Sequence, residues 1–270
     1  MIIKPFDFLE FLKDLYFKRS LIISLAKKDF MTQYIDSVFG LFWAFVHPLV
    51  MVLILWLIFS IGFKVLPVKN VPFVVWLIVG LAPWFFFAET VAGSTGIIVQ
   101  NRFLVKNLVF RVSILPIVKT LSSCVIHLIF LGLVIILMLG KGMHFSIWWF
   151  QVFYYTLALI IFILGLSWLT SSLFVFVRDV SQLIMIILQL GFWATPVFWN
   201  ISMIPEKYHF FIKLNPLYYI VQGYRESLIY HSPFWIHWGL SLYFWAVTIS
   251  ILLLGIMTFK KLRPHFADVL

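Results

Sequence analysis

Charge and cysteine are what this sequence has least of. Only 11% of its 270 residues are charged, whereas soluble domains carry about a quarter. Its one cysteine, Cys124, lies inside an apolar run, so no disulfide can form within the chain. The low charge, together with 63% hydrophobic residues and a mean hydropathy of +1.07, indicates an integral membrane protein. Once its apolar runs are counted, no length remains for a soluble domain of ordinary size.

Long apolar runs dominate the sequence instead. A helix needs about 20 apolar residues to cross the hydrocarbon core of a bilayer. The runs predict an all-α integral membrane fold with six transmembrane helices: Val38–Phe63, Phe73–Ala92, Ile114–Leu139, Ile147–Val177, Gln182–Trp199 and Trp235–Phe259. Pro83 is expected to break the second helix. No internal repeat is evident, which disfavours an inverted-repeat carrier.

The distribution of Lys and Arg predicts the orientation. With the N-terminus inside, 14 of the 20 basic residues fall on the cytoplasmic side. The outer side then carries Lys64, Lys69, Lys141, Lys207, Lys213 and Arg225. The sequence therefore predicts a multi-pass protein of the bacterial plasma membrane with both termini in the cytoplasm. The net charge of +10 belongs to this asymmetry rather than to a domain for nucleic acid.

Signatures of enzyme chemistry are missing. The sequence has no G-x-x-x-x-G-K-[ST] phosphate loop, no H-E-x-x-H and no clustered Cys/His site. Glu206 and Glu226 are the only predicted outward acids, so a membrane-embedded transferase lacks an evident carboxylate pair. His127, alone in the third apolar run, is typical of a packing residue. Glu89 is the only acid within a span, which disfavours a proton- or sodium-coupled carrier.

Residues 1–33 are predicted to form an amphipathic helix in the plane of the interface. Wound as a helix, they place Asp7, Glu10, Asp14 and Lys18 on one face and Phe8, Phe11, Leu12 and Leu15 on another. Such a helix either anchors the first span or acts as a lever towards a cytoplasmic partner. Amphipathicity alone supports both interpretations.

The loop "QNRFLVKNLVFRVSILP" predicts a short helix with two faces. Asn101 is expected to cap it, and Arg102 and Lys106 share a face because they are four residues apart. Phe103, Leu104 and Leu108 supply apolar contacts. A knob of this kind suits a groove on a soluble protein, and the alternative is a basic loop lying on lipid.

Aromatic residues make up 20% of the chain. Trp and Tyr usually form belts at the two membrane interfaces. The rings of Phe42, Trp43, Trp84, Phe85, Phe86, Phe87 and Trp193 exceed what two belts require. Aromatic faces stack on sugar rings, so these residues are candidates for the lining of a glycan path. Lipid-facing Phe is the alternative.

The stretch "KLNPLYYIVQGYRESLIYHSPFW", from Lys213 to Trp235, is apolar but does not contain an uninterrupted run long enough to cross. Together with "YIDSVFGLFWAFVHPL", "GLAPWFFF", "FVRDV" and "TPVFW" it resembles the membrane subunit of type-2 ABC exporters of polysaccharides. The stretches "VPFVVWLIVG", "NPLYYIVQGYRESLIYH" and "FADVL" are most similar to the wall teichoic acid permeases of Gram-positive bacteria. O-antigen and capsular polysaccharide permeases share the broader motifs and are the alternative.

The resemblance implies partners rather than cofactors. It implies a homodimer with two copies of a separate ABC ATPase, which binds ATP and Mg²⁺, and a lipid-linked anionic polymer as substrate. This subunit itself would bind no cofactor and no metal, and it would contact membrane lipid. The whole of residues 1–270 would form one permease domain: interfacial helix 1–33, spans 34–100, coupling helix 101–113, spans 114–199, outer re-entrant helices 200–234, and a last span and tail 235–270.

The resemblance also distributes roles over the candidate residues. Contact with the ATPase is expected from Asn101, Arg102, Phe103, Lys106, Asn107, Arg178 and Asp179. The translocation path is expected to include Tyr34, Phe42, Trp43, Trp84, Phe87, Trp193 and Trp199. An outer gate is expected from Asn215, Pro216, Tyr218, Tyr219, Arg225 and Glu226. Because adjacent helical residues point about 100° apart, Arg225 and Glu226 are expected to have separate partners within one subunit.

Overall fold

The computed structural model describes residues 13, 16–34, 40, 42–64, 71–106 and 110–270, with the backbone alone at 34, 43–45 and 47. The elements of this part of the chain are all helices. The α-helices are α1 (Arg19–Tyr34), α2 (Phe42–Trp56), α3 (Phe73–Thr95), α4 (Ile97–Gln100), α5 (Arg102–Val105), α6 (Leu115–Gly140), α7 (Gln151–Phe176), α8 (Val180–Ala194), α9 (His209–Lys213), α10 (Pro216–Arg225), α11 (Trp238–Leu262) and α12 (Phe266–Val269).

Shorter helical turns join or extend these helices. Two are π-helical, Leu57–Gly62 after α2 and Glu226–Tyr230 after α10. The 3-10 turns are Val112–Ile114, Ile147–Phe150, Ile201–Met203, Glu206–Tyr208, Phe234–His237 and Arg263–His265.

Four helices are long and apolar enough to cross a membrane: Phe73–Thr95, Val112–Gly140, Ile147–Phe176 and Phe234–Val269, each counted with its adjoining turns. They confirm the predicted second, third, fourth and sixth spans. The first predicted span is represented by α2 with its π-helical extension, which ends at Gly62, and the fifth by α8, which has 15 residues. Neither is among the four membrane-length helices of the described residues, so the count of six is not confirmed.

Two predictions are wrong, the end of the fifth apolar helix and the break at Pro83. The fifth apolar helix begins at Val180 and ends at Ala194 rather than Trp199, because Thr195 precedes Pro196 and the residue before proline disfavours helical backbone. Pro83 does not break α3, which runs without interruption from Phe73 to Thr95. Neighbouring helices enclose α3 on most sides, and such packing tolerates a proline inside a transmembrane helix.

The centre of the bundle is α3, which contacts α2, α6, α7, α8 and α10. The helices α7 and α11 approach each other closely at two glycines. A Cβ atom on Gly255 would collide with the carbonyl oxygen of Gly165, and one on Gly165 would lie 2.9 Å from the Cα of Leu252. Small residues at such a crossing let two backbones approach without an intervening side chain.

The helix α1 packs against α6 at one end of the bundle. Ile22 of α1 is buried together with Ile114 and Val118. Except for Lys18, the residues that carry the predicted amphipathic pattern lie outside the described residues, so that pattern stays a prediction. We call this end, which also carries α5, the Arg102 end. The opposite end, where α3 begins and α10 is inserted, is the Arg225 end.

Candidate functional site

The non-spanning helix α10 is fixed at its start by Asn215. The Asn215 Oδ1 accepts a hydrogen bond from the backbone N–H of Leu217 at 3.0 Å, and its Nδ2 donates to the Thr195 hydroxyl at 2.7 Å. Pro216 occupies the first helical position, where its missing N–H costs nothing. The predicted turn at Asn215–Pro216 is therefore confirmed, and it is tied to the end of α8.

Ten residues make α10 about 15 Å long, and its far end is buried in the bundle. A Cβ atom on Gly223 would collide with the ring of Tyr155 in α7. The next residue, Tyr224, is fully buried, and its hydroxyl lies 2.6 Å from the Thr156 hydroxyl and 2.9 Å from Nε2 of His127. His127 stacks on Phe86. These contacts make it a packing residue, as the sequence predicts.

Arg225 is the largest fully buried side chain near this site, at 2% exposure. Its Nη1 donates to the carbonyl of Pro196 at 2.7 Å, and its Nη2 donates to the carbonyl of Val197. Its guanidinium carbon lies 3.4 Å from the ring centroid of Trp76. Gly80 of α3 makes room for it, because a Cβ atom there would collide with Nη2. Arg225 thus joins α10 to α3 and to the chain just beyond α8.

Glu226 has different partners. Its Oε1 lies 3.2 Å from Nε2 of His237, directly before α11, and accepts a hydrogen bond from Gln222 at 3.4 Å. Glu226 is buried, whereas about half of the His237 side chain is exposed. The ion pairs of the described residues do not join Arg225 to Glu226. The prediction of two separate partners within one subunit is confirmed.

A cavity of about 320 Å³ opens beside Arg225. Its wall includes Trp76, Asn200, Tyr218, Gln222, Arg225 and Tyr230. The Nε1 of Trp76 donates to the Tyr230 hydroxyl at 3.0 Å, which fixes the indole beneath the guanidinium. Tyr219, the other predicted gate tyrosine, is not part of this wall. Its hydroxyl lies 3.1 Å from that of Tyr154 and 2.8 Å from that of Ser241, so it joins α10 to α7 and α11.

At the opposite end, α5 is a single turn with an exposed knob. Phe103 is 79% exposed, and Arg102 and Lys106 are exposed beside it. Val105 is buried in one cluster with residues of α4 and with Phe266 of α12. The predicted side-chain cap by Asn101 is wrong, and its predicted contact with the ATPase stays a prediction. Its side chain donates to the carbonyl of Ile97 at 2.9 Å and so completes α4 instead of capping α5.

Other residues predicted to contact the ATPase lie at the same end. Arg178 and Asp179 are exposed between α7 and α8, and Arg178 lies over the Phe174 ring at 5.1 Å. The segment after α5 is fastened by Trp168, whose Nε1 donates to the carbonyl of Ser113 at 3.1 Å. Asn107 and Leu108 lie outside the described residues. The assignment of this surface to an ATPase stays a prediction.

The predicted path rings occupy two environments. Trp84 and Phe87 are buried in the core, where Trp84 contacts Phe192 and Phe87 stacks on Phe162. Phe42 and Trp193 are 61% and 59% exposed. Trp199 is half-buried and donates from Nε1 to the carbonyl of Trp193 at 3.1 Å. The side chains of Tyr34 and Trp43 lie outside the described ones. Which rings line a path stays a prediction.

Sequence reasoning missed one polar cluster near the Arg102 end. Lys119 of α6 is buried, and its Nζ lies 2.5 Å from Oε1 of Gln33 and 3.4 Å from Oδ2 of Asp29, both in α1. Gln33 in turn donates to Glu89 of α3 at 3.3 Å. The signal was present, because a lysine inside the apolar run of a span requires a partner. Within the described ranges, no group of three His, Cys, Asp or Glu could hold a metal ion.

Four apolar helices of membrane-spanning length in the described residues indicate a multi-pass membrane protein. The family model of the ABC-2 type transporter matches residues 20–229. The chain therefore belongs to the ABC-2 type transporter family and is the membrane subunit of a transporter.

Curated relatives match nearly the whole chain. The O-antigen export system permease protein RfbA of Klebsiella pneumoniae is 29% identical over 251 residues, 93% of this chain and 95% of that protein. RfbA of Myxococcus xanthus is 30% identical over 226 residues, 81% of this chain and 84% of its own. The polysialic acid transport protein KpsM of Escherichia coli is 26% identical over 244 residues, 88% and 91% of the two chains.

Proposed function

We propose that this chain is the permease subunit of an ATP-driven exporter that moves a lipid-linked polysaccharide of the O-antigen or capsule class across the plasma membrane. The observation that carries the proposal is the match to an O-antigen export permease over 93% of this chain and 95% of the relative. Coverage of that extent in both chains favours a shared transport task.

The energy would come from a separate ABC ATPase that binds ATP and Mg²⁺. The sequence of this subunit holds no phosphate loop of its own. The Arg102 end supports a docking surface for that ATPase, because α5 presents an exposed phenylalanine between two exposed cations. Val105 packs in one cluster with α4, which directly follows α3, and this packing would transmit a push on α5 to the centre of the bundle.

The Arg102 end would face the cytoplasm, and the Arg225 end would face outwards, with both termini inside. This orientation follows the excess of Lys and Arg on the inner side. In it, α9 and α10 are re-entrant helices at the outer mouth. Non-spanning helices are tolerated at membrane depth when protein satisfies their polar groups, as Thr195 does for Asn215.

The polymer would pass between two copies of this subunit. Exposed rings suit that interface better than buried ones, so Phe42 and Trp193 are the strongest candidates for contact with sugar rings. Trp84 and Phe87 would support the wall from behind, because they pack within the core of one subunit.

A wall teichoic acid is the second candidate substrate. The outward-facing basic residues of the proposed orientation outnumber the acids six to two, which favours an anionic polymer such as a polyol phosphate. The same bias suits an acidic capsule, and the name of one relative refers to polysialic acid. The curated relatives therefore place O-antigen or capsule ahead of teichoic acid.

The test is to express the chain with the ATPase encoded beside its gene and to purify them together. We expect a stable complex in which two permeases accompany two ATPases. In cells lacking the chain, lipid-linked polymer should accumulate inside and disappear from the surface. The wild-type gene should restore surface polymer, and analysis of that polymer decides between the two substrate classes. Normal surface polymer in the deletion strain would refute the proposal.

A further inference from the structure

The cavity beside Arg225 has the chemistry of a ligand site. Its volume of about 320 Å³ is within the range of small-molecule sites, roughly 300–1,000 Å³. Three aromatic rings, two side-chain amides and one guanidinium contribute to its wall. Rings offer faces to the C–H groups of a sugar, and amides offer donors and acceptors to its hydroxyls.

Arg225 lacks an anion. It is 2% exposed, and the ion pairs among the described residues do not include it. Two carbonyls and one indole face surround the guanidinium, but its Nε is buried without a hydrogen-bond partner in the described part of the chain. A buried charge without a counter-ion is costly unless other groups compensate it. A ligand with a carboxylate or phosphate would supply the missing charge.

Resting on the proposed function, we propose that this cavity binds one acidic sugar unit of the exported polymer at the outer mouth, with its carboxylate or phosphate on Arg225. Gln222 and Asn200 would contact the hydroxyls, and Tyr218 and Tyr230 would contact the ring. Gln222 also donates to Glu226, which contacts His237 directly before α11. Binding in the cavity would therefore affect the contact between Glu226 and the start of α11. A polymer unit would therefore be held briefly at the exit.

The experiment measures binding of two matched monosaccharides to the permease–ATPase complex in phosphatidylcholine nanodiscs. Methyl glucuronide carries a carboxylate, and methyl glucoside is its neutral counterpart. Saturation-transfer NMR should detect the glucuronide with a Kd on the order of 1 mM. The glucoside should bind about tenfold more weakly, because it lacks the charge-assisted hydrogen bond. Equal binding of the two sugars, or of neither, would overturn the proposal.

Two variants locate the site without relying on Arg225, whose loss could unfold the subunit. Ser202→Trp places a large ring in the cavity from an exposed wall position. Met203→Trp, at the exposed neighbouring position outside the wall, is the matched control. Glucuronide binding should fall at least about tenfold in the first variant and stay unchanged in the second. Equal binding in both variants would exclude the cavity as the site.

Two further measurements distinguish a sugar from a lipid headgroup as the bound anion, and binding in the cavity from export. If nanodiscs containing phosphatidylglycerol abolish glucuronide binding, the cavity holds a lipid headgroup and the sugar assignment is wrong. Cells that carry Ser202→Trp should also export less polymer. If this variant loses glucuronide binding but exports polymer at the wild-type rate, the polymer does not pass through the cavity. Failure of export in the wild-type complex would refute the proposed function while leaving the binding result standing.

Discussion

Replacing Gly80 with alanine tests the position of Arg225 more directly than replacing the arginine. The added Cβ atom would collide with Nη2 of Arg225, and it would lie 2.9 Å from the carbonyl oxygen of Val197. The guanidinium can move only by giving up one of its two carbonyl partners, and the Val197 carbonyl is backbone. Gly132, in the middle of α6, is the matched control, because a Cβ atom there meets nothing within 4 Å.

The magnitude follows from two opposing effects. Inserting a methyl group into a packed site costs about 1–3 kcal/mol, whereas alanine in place of glycine stabilises a helix by about 0.5–1 kcal/mol. Gly80→Ala should therefore be less stable than Gly132→Ala by the overpacking cost of about 1–3 kcal/mol, because the helix gain is common to both variants, and Gly132→Ala should be neutral or slightly stabilising. At about 2–4 °C per kcal/mol for a chain of this size, the two variants should melt at clearly different temperatures.

The assay is thermal unfolding of the purified complex in detergent, followed by intrinsic fluorescence at one heating rate. A Gly80→Ala variant that melts at the same temperature as Gly132→Ala would refute the close approach of Arg225 to α3. A Gly80→Val variant should enlarge the effect, because it adds two methyl groups to a Cβ atom that already collides with Arg225. If valine restored stability, overpacking would not be the cause.

Three further predictions concern the rest of the bundle. Reversing both Arg102 and Lys106 to Glu should abolish substrate-stimulated ATP hydrolysis and export without lowering the amount of protein in the membrane; normal stimulation would exclude α5 as the ATPase contact. Trp193→Ala should slow export at normal protein level, whereas Trp84→Ala should lower the protein level because it destabilises the fold by about 3–5 kcal/mol. If both variants lose export in proportion to protein level, both rings are packing residues. Tyr224→Phe should cost about 1 kcal/mol, measured by melting, because its histidine and threonine partners remain buried; an unchanged melting temperature would contradict this network.

Local chemistry accounts for the features that the sequence predicts well. Hydropathy identifies the four long helices, because crossing a bilayer sets a minimum length of apolar sequence. The Asn215–Pro216 turn follows from the backbone preferences of the two residues themselves. The separate partners of Arg225 and Glu226 follow from the rotation per residue of a helix. Each of these inferences depends on neighbours in the chain alone.

Tertiary packing decides the features that the sequence does not predict. Pro83 interrupts the hydrogen-bond ladder of α3, but five neighbouring helices keep the helix continuous. Arg225 finds carbonyls 29 and 28 residues away and an indole in α3, and no local pattern specifies them. The Asn101 side chain donates to the carbonyl of Ile97 in the preceding turn and accepts no backbone N–H of α5, a choice that no local pattern specifies.

The pair of Glu226 and His237 gives the sharpest test of an outer gate. The carboxylate lies in the π-turn after α10 and the imidazole directly before α11, so the contact holds the inserted helix against the last span. Half-exposure of His237 limits the energy of the pair to about 1 kcal/mol, which corresponds to about a fivefold change in an opening equilibrium. Glu226→Gln should therefore raise basal ATPase activity or ion leak about fivefold, and the exposed Glu206→Gln should not. His237→Gln should also raise the leak, and the double variant should add nothing to the effect of Glu226→Gln, because the contact between Glu226 and His237 is then already lost. Additive effects of the two substitutions, or a wild-type leak in Glu226→Gln, would exclude the pair as a gate. The contact would then only orient α11.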